Sequence, residues 1–74
     1  MKFSEVYQTR YTHFLERLRQ TRLDANLSQE EVAQKLGISQ SIVSRSENGD
    51  RRVDVIELLT FAELYRKPLE FFTD

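Results

Sequence analysis

The sequence contains no cysteine, so neither a disulfide nor a thiolate metal site can staple the fold, and the hydrophobic core has to suffice. That absence suits a reducing cytoplasm, where we expect the protein to work. Long apolar runs are missing too. The amino-terminal MKFSEVYQTRYTHF is interrupted throughout by polar residues, and no stretch approaches the ~20 apolar residues that span a bilayer. The expectation is a chain that is neither secreted nor membrane-spanning. Glycine and proline are scarce, at two and one, and there is no linker, internal repeat or low-complexity tract. Charge of one sign is also lacking: eleven basic residues face twelve acidic ones, giving −1 and a pI near 5.8. Nucleic-acid-binding domains are commonly basic, so the total argues weakly against such a partner.

The charge is polarised, however. Residues 1–25 carry five basic and three acidic groups, residues 26–52 four of each, and residues 53–74 two basic against five acidic. Fields at ~0.15 M salt are screened over about 8 Å, so the local face decides contact with phosphate. The 74 residues leave room for one domain, 1–74, near the lower size that still buries an adequate core. An apolar content of 39% with 31% charged residues fits a folded globular chain rather than a disordered one.

Residues 29–49, QEEVAQKLGISQSIVSRSENG, organise the chain. Ser28 followed by Glu31 forms a capping box, and Val32, Ala33 and Leu36 give the short helix 29–36 one apolar face. Gly37 stands where a left-handed C-cap is wanted. Ile38 plugs the turn, Ser39 caps a second helix reaching Asn48, and Gly49 ends it. A three-residue turn containing glycine between two helices is the mark of a helix-turn-helix. At 100° per residue, Gln40, Ser41, Ser44 and Arg45 share an arc of roughly 140° that carries only polar side chains, the candidate reading face. Ile42, Val43, Ser46 and Glu47 fall on the packing side, where a lone carboxylate needs a partner.

Around this motif the pattern predicts helices throughout. A first helix, starting at Ser4 or Thr12 and ending at Ala25, sets Tyr7, Tyr11, Phe14, Leu15 and Leu18 on one core face. Asn26 takes a left-handed turn position, and Leu27 is a core residue. Asp54 caps a fourth helix with Val55, Leu58, Leu59, Ala62 and Tyr65 on its core face and Ile56 and Phe61 towards a second surface. Pro68 opens a short fifth helix at its first position. The fold class expected is all-α, a compact five-helix bundle.

The run LRQTRLDANLSQEEVAQKLGISQSIVSRSENGDRRVDVIELLTFAELY resembles the Cro and phage-repressor type of helix-turn-helix family, bacterial and phage transcription regulators. The likeness covers residues 15–72 and joins the SQEEVAQKLG helix and turn, the S-x-x-ENG ending and the apolar helix that follows. It implies a lambda-repressor-like fold and double-stranded DNA as partner. It also implies an ion pair between Arg22, seven residues before Gln29, and Glu47 of the ENG sequence. Gln29 is similar to the family's glutamine that bonds phosphate and braces Gln40. Ser46 departs from the family, which usually places a larger residue there.

A recognition helix meets base edges first with its amino-terminal side chains. Gln40 can pair bidentately with adenine and Arg45 with guanine, while Ser41 bonds either base. Ser44, Arg51, Arg52 and the backbone near Asn48 are phosphate candidates, with Gln29. So small a domain leaves apolar residues exposed, which marks an interface. We expect a homodimer joined around Lys67, Leu69, Phe71 and Phe72, with Ile56, Phe61 or the amino-terminal aromatics contributing, on an inverted-repeat operator with half-sites ~10 bp apart. Nothing in the chain chooses repression over activation, although occluding polymerase is the simpler route. The competing reading is a protein-binding module, antitoxin-like or an anti-repressor partner, served by the acidic carboxy-terminal third. An enzyme fares worst: His13 lacks a catalytic constellation, and Glu30 and Glu31 are solvated acids favoured by a helix dipole. No cofactor, metal or small-molecule ligand is implied.

Overall fold

The computed structural model describes residues 2–74, and among these it contains five helices and no strand. They are α1 (Phe3–Asp24), α2 (Gln29–Leu36), α3 (Gln40–Asn48), α4 (Val55–Tyr65) and α5 (Glu70–Thr73). The molecule measures 40 × 23 × 20 Å. Its length comes from α1, whose 22 residues rise about 1.5 Å each and overhang the rest.

The apolar ladder of α1 records that overhang. Phe3 is 81% exposed and Tyr7 still exposed, Tyr11 is half-buried, and Phe14 and Leu18 are buried. The rings stack down the helix, with centroids 5.7 Å apart from Phe3 to Tyr7 and 5.6 Å from Tyr7 to Tyr11. Tyr7 was expected on the core face. It belongs to the right stripe, but the stripe outruns the buried core, and Tyr7 is covered only in part, by its aromatic neighbours and Arg52.

Local chemistry sets the helix boundaries. Ser28 Oγ accepts from Glu31 N at 3.0 Å while Glu31 Oε1 accepts from Ser28 N at 2.9 Å. The same reciprocal box joins Asp54 and Glu57 at the start of α4. Gly37 and Gly49 end α2 and α3 at φ +69° and +81°. A Cβ on Gly37 would meet open space, whereas one on Gly49 would stand 3.0 Å from Leu15 Cδ1. Asn26 and Arg66 also take positive φ, both +58°. The arginine closes α4 through hydrogen bonds from Arg66 N to Glu63 O and Lys67 N to Ala62 O. Pro68 precedes α5 rather than opening it: Phe71 N bonds Pro68 O and Phe72 N bonds Leu69 O, a tight turn, and the helix begins at Glu70.

The core gathers Phe14, Leu18, Val32, Ala33, Val43, Phe61, Ala62, Tyr65 and Phe72. Two expectations fail here. In α4, Phe61 is buried, while Val55 and Leu59 are exposed beside Ile56, which is 67% exposed. The segment VIELLTFAELY is apolar nearly all round, so its periodicity cannot choose the face that packs. Phe72, expected at a dimer contact, is only 1% exposed and lies in the core. It is unavailable to a partner because α5 folds back on α1, where Arg17 Nη1 donates to Phe71 O at 2.6 Å. No helix among the described residues is long and apolar enough to cross a membrane.

Candidate nucleic-acid interface

The α2–α3 unit is held from behind by one buried polar cluster. Arg22 Nε donates to Glu47 Oε2 at 2.8 Å, with 10% and 1% of the two side chains exposed. Arg22 Nη1 also donates to Leu27 O at 2.9 Å, and Gln29 Nε2 reaches Glu47 Oε1 at 3.2 Å. One guanidinium thus ties α1 to the turn before α2, and one carboxylate ties α3 to both neighbours. Burying charge is tolerable only when it is paired and hydrogen-bonded, and here both Glu47 oxygens accept a bond and Arg22 donates two. Beside the cluster, the Tyr65 hydroxyl is buried without a hydrogen-bond partner. Burial, with Glu47 adding to it and Arg22 opposing, pushes its pKa up to about 12.

With that anchor, α3 turns Val43, Ser46 and Glu47 inward. Gln40, Ser41 and Arg45 are exposed on the opposite side, with Ser44 half-buried and Asn48 exposed at the far end. None of these five side chains hydrogen-bonds to a protein group among the described residues, so their donors and acceptors are all unspent. Ser39 Oγ accepts from Ile42 N at 3.3 Å, which fixes the helix start just where Gln40 and Ser41 emerge.

The flanking residues divide. Gln29 uses an amide hydrogen on Glu47, so its side chain is partly turned to the interior. Arg51, expected at phosphate, is instead occupied within the domain. Its Nη2 donates to Glu57 Oε2 at 2.7 Å, and its Nη1 donates to Glu57 Oε1 at 3.3 Å and to Ser46 Oγ at 3.0 Å. Ser46 stands where the family usually places a larger residue. Here its buried hydroxyl donates to Ile42 O at 2.7 Å and accepts from Arg51 Nη1 at 3.0 Å. The Arg51 partnership, then the Asp54 backbone amide, holds the Glu57 carboxyl below its ordinary value of 4.5.

Arg52 is different. Its Cζ lies 4.6 Å from the Tyr11 ring centroid and 5.2 Å from that of Tyr7. Tyr11 Oη accepts from Val53 N at 3.0 Å. Sequence reasoning missed both contacts, although Tyr7 and Tyr11 at i and i+4 do signal a paired aromatic surface. Lys67 is exposed, Leu69 and Phe71 half-buried, and the Lys67 ammonium lies 4.8 Å from the Phe71 centroid.

The arrangement is a helix-turn-helix whose second helix projects polar, unpaired side chains from a rigidly braced frame. The family model described as helix-turn-helix, of the Cro and repressor type, matches residues 18–72. Neither a curated protein nor a solved structure gives a match to this chain. With the match covering most of the chain and its fold, the protein belongs to the Cro and repressor-type helix-turn-helix family of DNA-binding transcription regulators.

Proposed function

We propose that the chain is a sequence-specific homodimeric repressor that lays α3 into the major groove of each half of an inverted repeat. The observation that carries this reading is the outward arc of Gln40, Ser41 and Arg45, exposed and without protein partners. Gln40 reads adenine through N6 and N7, Arg45 reads guanine through O6 and N7, and Ser41 takes a neighbouring base. Ser44, Asn48, Arg52 and the amino-terminal turn of α2 with Gln29 meet phosphate and set register. Half-sites then lie ~10 bp apart, and occupancy near a promoter blocks polymerase.

The second copy docks on the apolar residues that the fold leaves uncovered, Val55, Ile56 and Leu59 of α4 with Phe3 of α1. Leu69 and Phe71 lie at the margin. A side chain such as Ile56, two-thirds exposed, is a poor fit to a lone monomer and a good one to an interface core.

Selection of bound duplexes from a random pool, followed by titration of the winner at several salt concentrations, tests the reading. Wild type should enrich an inverted repeat, with affinity falling as salt rises. Gln40→Ala and Arg45→Ala should each lose about 1 to 3 kcal/mol of discrimination at one base position. A folded wild type that enriches no sequence at low salt would shift the function to a protein partner.

A further inference from the structure

We propose that the amino-terminal overhang of α1, which lies outside the 18–72 family match, is a working part of the DNA interface: Tyr7 and Tyr11 hold Arg52 ready for a phosphate. This rests on the reading of α3 as the recognition helix and adds a positioning role for residues that touch no DNA themselves.

An arginine in an exposed loop samples many rotamers, and ordering it on binding costs conformational entropy. Here that cost is largely met before DNA arrives. The guanidinium sits over two rings at 4.6 and 5.2 Å, and the rings are nearly parallel at 24°. A guanidinium held by ring faces is attracted through its charge, which spends none of its N–H donors and leaves them for a phosphate. The donors are unspent, since Arg52 donates to no protein acceptor among the described residues. Tyr11 fixes the backbone one residue on, through its hydroxyl and Val53 N. Arg51 is locked from the other side by Glu57 and Ser46. Both cations of the loop are therefore held by neighbours, Arg51 through hydrogen bonds and Arg52 through ring faces that leave its N–H groups without a protein acceptor among the described residues, three residues beyond the glycine that ends α3. Tyr7 is not a member of the buried core; it is 37% exposed, stacks between Phe3 and Tyr11 and lies under Arg52.

The test uses the full chain and its selected duplex. Affinity and its salt slope are measured for Arg52→Ala, Tyr7→Leu, Tyr11→Leu and Tyr11→Phe, and for each tyrosine change combined with Arg52→Ala; melting curves and sedimentation control for fold and dimer mass. Arg52→Ala should weaken specific and scrambled duplex alike and lower the salt slope by about one phosphate. Tyr7→Leu and Tyr11→Leu should each weaken binding about two- to fivefold, and that loss should vanish in the Arg52→Ala background. Tyr11→Phe, which keeps the ring, should retain more affinity than Tyr11→Leu. Tyrosine losses that persist without Arg52, or folded tyrosine variants that bind like wild type, overturn the proposal while leaving base reading by α3 standing. A wild type that binds no duplex overturns both.

Discussion

At the scale of single residues, the frame behind α3 depends on Arg22. Its ion pair with Glu47 is buried on both sides, so truncating one partner strands a charge that water cannot reach. Arg22→Ala should cost roughly 3 to 5 kcal/mol, a large share of the ~5 to 15 kcal/mol that holds a small domain together. Thermal unfolding measures this, and a midpoint lowered by only a few degrees would mean that water replaces the guanidinium. Removing both charges in Arg22→Met/Glu47→Leu should destabilise less than Arg22→Ala alone, because no ion is left unpaired. Need for a partner at Glu47 was legible from the helical wheel, and the choice of Arg22 from the family resemblance. The additional bonds to Leu27 O and from Gln29 were not, since they depend on where the α1–α2 turn lies in space.

At the scale of elements, caps and turns were the most legible features. Ser28 with Glu31, Gly37, Ser39, Gly49 and Asp54 act within four residues of themselves, so neighbouring sequence is enough to define them. The box at α4 goes further, because Glu57 also receives Arg51. Its carboxyl is held below 4.5, chiefly by that guanidinium and next by the Asp54 amide. A depressed folded value means that the stabilisation is present above about pH 4.5 and is lost as pH falls through the lower folded value. Glu31, whose carboxyl is lowered by the Ser28 backbone and hydroxyl, has the same sign. Melting temperature should therefore fall on acidification from about pH 5 to 2. Glu57→Gln should make that decline shallower, and an unchanged acid limb would show that the carboxylate contributes nothing in solution.

At the scale of the molecule, the proposed dimer rests on the apolar surface left on α4 and at the tip of α1. Ile56→Glu with Leu59→Glu should leave the fold intact, since both residues are exposed. In sedimentation at tens of micromolar the variant should have monomer mass, and its preference for the whole inverted repeat over a half-site should collapse. A dimer mass in the folded variant would place the contact elsewhere, for instance at Lys67, Leu69 and Phe71.

The sequence alone determined the helix count, the motif spanning residues 29–49, the caps and the polar arc of α3, because each is written in residues a few positions apart. Tertiary structure decided what depends on relative placement. It turned Phe61 inward and Val55 and Leu59 outward on a helix apolar nearly all round, and it drew Phe72 into the core. It also separated two adjacent arginines of identical chemistry: Arg51 meets a carboxylate brought near by α4, while Arg52 meets aromatic rings carried by an α1 too long for the body it serves. Local pattern fixes which face of a helix is polar, but only the packing of distant elements fixes which charges remain free for a partner.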